Sequence, residues 1–409
     1  MNYNTITLPN GLRIIHLHAA SPVVYCGYEI NAGTRDEEHG EEGMAHFCEH
    51  ITFKGTERRR ALQILNCLES VGGDLNAFTN KESTVYYSAV LSDHFQRAVD
   101  LLTDIVFHSI YPQTEIDKEV AVICDEIESY NDSPAELIFD EFEGLIFKNH
   151  PLGHNILGKA EQLRTYKTAD AKRFTSKFYR PENAVFFAYG DIDFKKLVYL
   201  LRKATMGFPE RKPIINKHTE TVLPVYEPQN VTVERHTHQA HVMMGNRAYS
   251  VNNDKRIALY LLNNILGGPG MNARLNLSLR ERHGLVYTVE SSMISYSDTG
   301  LWCVYFGCDQ HDIKNCLRLV RHELDKLMEK PMTVTQLNAA KKQIKGQIAI
   351  ACDNRESFAL DFGKSYLHYG WEKNTERLFA NIDALTAKQL QEVALDIFAQ
   401  NRMTTLIYQ

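Results

Sequence analysis

Residues 43–51 read Gly43-Met44-Ala45-His46-Phe47-Cys48-Glu49-His50-Ile51, and two patterns share them. Met44, Phe47, Cys48 and Ile51 recur at i, i+3, i+4 and i+7, the spacing of a helix that buries one face in a core. His46, Glu49 and His50 fall on another face, with the two histidines one turn apart. Side chains at i and i+4 stand above one another, so two imidazoles can grip one metal ion. Glu49 sits beside the second histidine, where a carboxylate can take a proton from a metal-bound water. The order His-x-x-Glu-His reverses the His-Glu-x-x-His of commoner zinc proteases and places the same groups on one face. Cys48 belongs to the apolar stripe and is read as packing. A catalytic zinc takes three protein ligands plus water, so a third ligand must come from elsewhere.

Working outward, the chain has 409 residues, too many for one ordinary core, and two or more domains are expected. Hydrophobic content of 44% and charged content of 23% mark a globular protein. The net charge of −6 gives no electrostatic case for nucleic acid or an anionic membrane surface. Eight cysteines include no Cys-x-x-Cys pair, and several lie in apolar stretches. Buried free thiols in a reducing compartment are expected, not disulfides or a zinc ribbon. Residues 1–8 show no basic segment followed by an apolar run, and no stretch reaches transmembrane length. The expected location is the cytoplasm.

Thr5–Leu8 and Leu12–Leu17 read as strands that meet at Pro9-Asn10-Gly11, a hairpin signal. Val23–Ala32 reads as a third strand. The histidine helix stops near Gly55, and a second helix, about Arg60 to Val71, closes at Gly72-Gly73. Residues 74–87 are strand-rich with a polar break, and His94–His108 is helical. Thr114 is expected to cap the next helix, with Asp117 at the capping-box position. Its buried stripe is Ile116, Val120, Ile123 and Ile127. Glu119 and Glu126, seven apart, share a face beside that stripe. Either has the chemistry of the missing ligand, and the residues alone do not choose between them and Asp125, Glu128 or Glu141.

The arrangement resembles the M16 (pitrilysin or insulinase-like) family of zinc peptidases, which includes the mitochondrial processing peptidase. Glu126 lies 76 positions after His50, with Glu119 seven before it, as the family's ligand glutamate and its companion do. Asn76-Ala77-Phe78-Thr79, followed by Thr84-Val85-Tyr86-Tyr87, is similar to the family's substrate-binding edge strand. Arg280 and Tyr287, within Leu279-Arg280-Glu281-Arg282-His283-Gly284-Leu285-Val286-Tyr287, look like the pair that reaches the family's active site from the second domain. The resemblance implies that His46, His50 and Glu126 hold one Zn²⁺ per chain and that Glu119 orients a ligand. It also implies that Asn76, Ala77, Phe78 and Thr79 bind substrate through main-chain hydrogen bonds, and that Arg280 and Tyr287 stabilise the oxyanion.

Beyond Glu136–Phe147, Thr168–Tyr179 reads as a helix and Asn183–Tyr189 as a strand. Residues 207–230, rich in proline and polar groups, are the best linker. After it the pattern begins again. Thr168-Ala169 leads a helix that reaches Asn183 and an apolar strand. Thr386-Ala387 leads one that reaches Asn401 and another, and the offset is 218 in both cases. Val23–Ala32 and Ala240–Ala248 fit loosely at the same offset. The expectation is an α+β fold of two homologous α/β-sandwich domains, each a sheet packed with helices, related by internal duplication. They are a zinc-binding catalytic domain at 1–206 and a homologous domain at 231–409. In the second copy the matching region, Gly267-Gly268-Pro269-Gly270-Met271, carries no metal motif. Longer family members close as a clamshell of two halves, and this chain has the length of one half.

The expected function is that of a zinc-dependent endopeptidase acting on peptides or unfolded segments, with Glu49 as general base, inside a chamber formed by a homodimer or by a heterodimer with a related chain. The alternative is a non-catalytic or partner-dependent assembly or processing subunit, although such relatives have lost parts of the zinc motif. A purely structural zinc would leave Glu49 without a task. His236, His238 and His241 lack a carboxylate or cysteine at ligand spacing, and like His16 and His18 they are read as solvated strand positions. Glu57-Arg58-Arg59-Arg60 is read as a solvated helix start.

Overall fold

The computed structural model describes residues 2–215 and 223–409, so 216–222 of the expected linker lie outside the described residues. In chain order the first half gives β1 (Tyr3–Thr7), β2 (Arg13–His18), β3 (Val23–Ile30), α1 (Met44–Thr52), α2 (Ala61–Glu69), β4 (Asp74–Thr79), β5 (Thr84–Leu91) and α3 (Phe95–His108). It continues with α4 (Gln113–Asn131), α5 (Pro134–Ile146), α6 (Ala160–Leu163), α7 (Thr168–Phe178), β6 (Ala184–Gly190) and α8 (Phe194–Ala204). The second half gives β7 (Asn230–Val233), β8 (Ala240–Ala248), α9 (Arg256–Gly267), β9 (Val286–Ser295), β10 (Gly300–Cys308) and α10 (Ile313–Glu329). It closes with α11 (Val334–Ala351), α12 (Arg355–Tyr369), α13 (Thr375–Ala384), α14 (Ala387–Ile397) and β11 (Thr404–Tyr408). No helix among the described residues is long and apolar enough to cross a membrane.

Two sheets form, ordered β1-β2-β6-β3-β5-β4 and β7-β11-β8-β10-β9. Shifted by about 218 positions, β2, β6, β3, β5 and β4 fall on or beside β7, β11, β8, β10 and β9. The second sheet therefore repeats the order of the first without β1. Each sheet has one parallel pair, β2 with β6 and β7 with β11. The fold is mixed α and β, built twice.

The compact units do not follow the chain's midpoint. One comprises Met1–Glu128, His154–Lys217 and Ala351–Asn374; the other comprises Ser129–Gly153, His218–Ile350 and Thr375–Gln409. Thus α5, from the first half, packs on the second sheet, where Ile138, Phe142 and Ile146 meet Met243, Leu301 and Leu406. In return α12 covers the first sheet, setting Phe358 and Phe362 on Ile15, Val85, Val185 and Phe187. The opposite face of the first sheet carries Cys26, Tyr28 and Tyr86 against α1 and α3. Burial on both faces is why β6 reads Ala-Val-Phe-Phe-Ala with no polar alternation. Apolar burial decides the α12 placement. Each buried phenylalanine is worth about 1.5–3 kcal/mol, whereas the hydrogen bond from Tyr87 Oη to Glu356 adds about 1 kcal/mol.

The Pro9-Asn10-Gly11 hairpin is present: Gly11 takes a φ of 86°, and Asn10 Oδ1 accepts from Leu12 N at 3.2 Å. The start of α4 differs from expectation. The helix opens at Gln113, because Pro112 O accepts from the N–H groups of Glu115 and Ile116. Thr114 is therefore inside the helix, and Asp117 accepts from Gln113 Nε2 at 2.8 Å. All eight cysteines are free.

Candidate metal centre

The start of α1 is fixed from two sides. Gly43 takes a φ of 86°, and a Cβ there would lie 2.8 Å from Leu157 O. The Glu37 carboxylate accepts from Gly43 N at 3.1 Å and Ala45 N at 2.9 Å, satisfying donors that a helix start leaves orphaned. Met44, Phe47, Cys48 and Ile51 are fully buried, so the other face of α1 has one orientation. That face presents His46, Glu49 and His50 toward α4.

The imidazoles of His46 and His50 lie 4.6 Å apart between centroids. Glu126 Oε1 is 3.9 Å from His46 Nε2, and Glu126 Oε2 is 3.5 Å from His50 Nε2. One ligand atom from each of His46, His50 and Glu126 falls within 4.8 Å of the others. Glu119 touches the cluster from behind: His50 Nδ1 donates to Glu119 Oε1 at 3.0 Å, and Lys54 Nζ sits 2.6 Å from Glu119 Oε2. In the neutral ring that hydrogen bond fixes the proton on Nδ1 and leaves Nε2, which faces Glu126, as the ligand nitrogen.

Burial, then the charge of His50, drives the His46 pKa down to about 3, so this ring is neutral. His50 behaves oppositely. Burial pulls its pKa down, but the hydrogen bond to Glu119 and the charges of Glu49, Glu126 and Glu119 outweigh that and raise it. Glu119 is pushed up by burial and pulled down further by His50 and Lys54, for a net lowering. Glu49 is raised, chiefly by burial, against the hydrogen bond from Thr79.

The donor set fits a divalent cation. His46 is buried and neutral, and its Nδ1 has no hydrogen-bond partner among the described residues. Its Nε2 lies 3.9 Å from Glu126 Oε1. Zinc–nitrogen and zinc–oxygen bonds of about 2.0–2.2 Å separate tetrahedral neighbours by a little over 3 Å, close to the gaps found here.

The other candidate ligands lie elsewhere. Asp125 and Glu128 are exposed and outside the cluster, and Glu141 pairs with Arg235 at 2.7 Å in the second unit. Asn76, Ala77, Phe78 and Thr79 lie on β4, an edge strand whose one partner among the described residues is β5. Arg280 and Tyr287 are together in the second unit, on a π-helical turn (Asn276–Arg282) and on β9. The Arg280 guanidinium stands 5.6 Å over the Tyr287 ring, and Tyr287 is 81% exposed. A second cluster, Asp309, His311 and Asp312, lies on one surface turn and is largely exposed.

Two contacts escaped the sequence reading. Thr79 Oγ1 donates to Glu49 Oε2 at 2.6 Å, and Lys54 holds Glu119. Lys54 is signalled only by its place four residues after His50. His16 is buried, not solvated, with Nε2 3.3 Å from Gly190 O. Arg59 is no solvated helix start either: it pairs with Asp100 and Asp104 of α3. His236 and His238 are exposed as expected, and His241 Nδ1 lies 2.9 Å from Tyr305 Oη.

Residues 13–160 match the family model described as Insulinase (Peptidase family M16), and residues 167–344 match the one described as Peptidase M16 inactive domain. An uncharacterized zinc protease, YmxG, of Bacillus subtilis is 31% identical over 404 residues, covering 98% of this chain and 97% of the relative. An uncharacterized zinc protease of Streptomyces coelicolor is 31% identical over 408 residues, covering 98% of this chain and 88% of the relative. The crystal structure of a protease from Helicobacter pylori matches with a TM-score of 0.89 at 20% identity, over 100% of this chain and 99% of the other, a likeness of fold.

Proposed function

The chain belongs to the insulinase-like M16 family of peptidases, and on that premise we propose that it is a zinc-dependent endopeptidase acting on peptides or unfolded segments. The reading rests above all on one observation, the three mutually facing acceptors of His46, His50 and Glu126 with Glu49 beside them. The names of its relatives, zinc proteases, support the choice of metal. One Zn²⁺ per chain, when bound, supplies Lewis acidity and makes water acidic enough to lose a proton near neutral pH.

The chain's own residues do the rest. His46, His50 and Glu126 hold the metal, and Glu119, anchored by Lys54, keeps the His50 ring turned toward it. Glu49 takes the proton of the attacking water on a carboxylate oxygen and passes it to the leaving nitrogen. Burial, which raises its pKa, brings it nearer the working pH. Substrate adds to the open edge of β4 at Asn76, Ala77, Phe78 and Thr79, pairing through main-chain groups that tolerate many sequences. Tyr287, backed by Arg280, donates to the developing oxyanion. The chamber we propose is dimeric, each site joining the zinc cluster of one subunit with Tyr287 of the other; the exposure of Tyr287 supports this arrangement.

Glu49→Gln tests the reading. Glutamine keeps the shape but cannot accept the proton, so the variant is expected to bind zinc stoichiometrically while losing nearly all peptide turnover. Substantial turnover by the zinc-loaded variant removes Glu49 from the general-base role. Absence of turnover in the zinc-loaded wild type favours the non-catalytic subunit.

A further inference from the structure

Helix geometry alone does not fix a glutamate with three rotatable bonds, and Glu49 has a second support. Its side-chain hydrogen bond among the described residues comes from Thr79, whose Oγ1 donates to Oε2 at 2.6 Å. Both residues are 8% exposed. A hydroxyl–carboxylate bond of this length is charge-assisted and short enough to be directional. Thr79 is itself held. It ends β4, pairs with Thr84 of β5, and lies on the strand face that carries Leu75 and Ala77 against the core beneath α1. Phe78, on the opposite face, packs edge-on against Tyr87.

We propose that Thr79 is a positioning residue for Glu49: it occupies one carboxylate oxygen so that the other faces the His46–His50–Glu126 cluster, and the strand that receives substrate thereby also orients the base. The proposal rests on the peptidase reading above. Its chemistry is a static hydrogen bond with no proton or electron moved. Its consequence is kinetic. A misdirected base leaves substrate binding along β4 nearly intact and slows the chemical step.

Two variants and one cycle test it. Thr79→Val keeps volume, β-branching and strand preference but removes the hydroxyl. It is expected to lower kcat by about thirtyfold to a hundredfold, the size of a small misplacement of a reacting group, with KM within about threefold and zinc content unchanged. Thr79→Ser keeps the hydroxyl and is expected to recover kcat to within about threefold of wild type. The hydrogen bond is also read without metal or turnover, by thermal unfolding of the metal-free chain. Thr79→Val is expected to lower the midpoint by about 2–4 °C in the wild-type background and by less than about 1 °C beside Glu49→Ala, where there is no carboxylate to lose.

Unchanged kcat in Thr79→Val, or Thr79→Ser as slow as Thr79→Val, overturns the positioning role, the latter because the methyl would then be what matters. Equal midpoint losses in both backgrounds overturn the hydrogen bond itself. If the zinc-loaded wild type cleaves no peptide, the peptidase reading fails, and the metal-free cycle still decides whether Thr79 holds Glu49.

Discussion

The same pair of helices occurs in both units with opposite chemistry. In the first unit α1 and α4 face each other across His46, His50 and Glu126. In the second, α9 and α11 occupy the corresponding places, and Asn264, 218 positions after His46, donates from Nδ2 to Gln347 Oε1 at 2.7 Å. A neutral amide pair satisfies itself. Two imidazole nitrogens and a carboxylate instead bring three ligand atoms within 4.8 Å of one another. By the same offset Glu126 corresponds to Ile344, so the second unit carries no carboxylate at the place of the third ligand.

The largest effect expected from this contrast is at Glu126. Glu126→Gln should lower zinc affinity by more than about a hundredfold and turnover with it, while Glu119→Gln, one step removed, should cost about 10–100-fold. Asp125→Asn should leave zinc bound, since Asp125 is rotated off the face by about 100°. Metal analysis of the purified variants separates them. Equal zinc loss at Asp125 and Glu126 means that the third ligand has been misassigned.

Next in size is the effect expected from the proposed role of Tyr287. Tyr287→Phe should lower kcat by about a hundredfold with zinc retained, the usual loss for one oxyanion donor. Mixed with Glu49→Gln by subunit exchange, it should recover to about a quarter of wild-type activity if each site is shared across a two-fold dimer. An inactive mixture after demonstrated exchange argues against shared sites.

Smaller still is the effect of breaking the amide pair. Asn264→Ala should destabilise the chain by about 0.5–1.5 kcal/mol by removing its hydrogen bond to half-buried Gln347, with zinc content unchanged. A loss of zinc would mean that this amide pair also bears on metal binding.

The smallest effect lies beneath the exchanged helices. Gly27 and Gly245 stand 218 apart, so Glu29 matches Arg247. Arg247 donates from Nε to Ile146 O of α5 at 3.0 Å. Glu29, under α12, is fully buried, and burial raises its pKa to about 8. A carboxyl raised in the folded state contributes its full stability below the unfolded value near 4.5 and loses it as pH rises through 8. Glu29→Gln should therefore raise the unfolding midpoint at pH 9 by about 2–4 °C and leave it unchanged at pH 4.5. A uniform shift across that window would show that ionisation is not the cause.

Much of this was legible in the residues. The apolar spacing of Met44, Phe47, Cys48 and Ile51 oriented α1, and the Thr-Ala to Asn repeat exposed the duplication. The helix exchange was not legible. The stripe of Phe358, Ala359 and Phe362 announces a buried face but not which sheet buries it, and α5 and α12 each follow their own half in sequence. The second copy's counterpart of the histidine helix lies before the expected Gly267–Met271 segment, since α9 spans Arg256–Gly267. Side-chain partners such as Thr79 with Glu49, or Lys54 with Glu119, depend on how a strand or a helix end lies against α1. No periodicity encodes that.

The central claim, that one metal site in the first unit drives peptide hydrolysis, is met most directly by zinc titration of the chelated chain. Turnover of a peptide library should be absent without metal, rise in proportion to added zinc, and level off at one equivalent per chain. Glu49→Gln should bind the same equivalent without turnover. Hydrolysis by the metal-free chain, or zinc-dependent hydrolysis that survives replacement of both His46 and His50 by alanine, would contradict it.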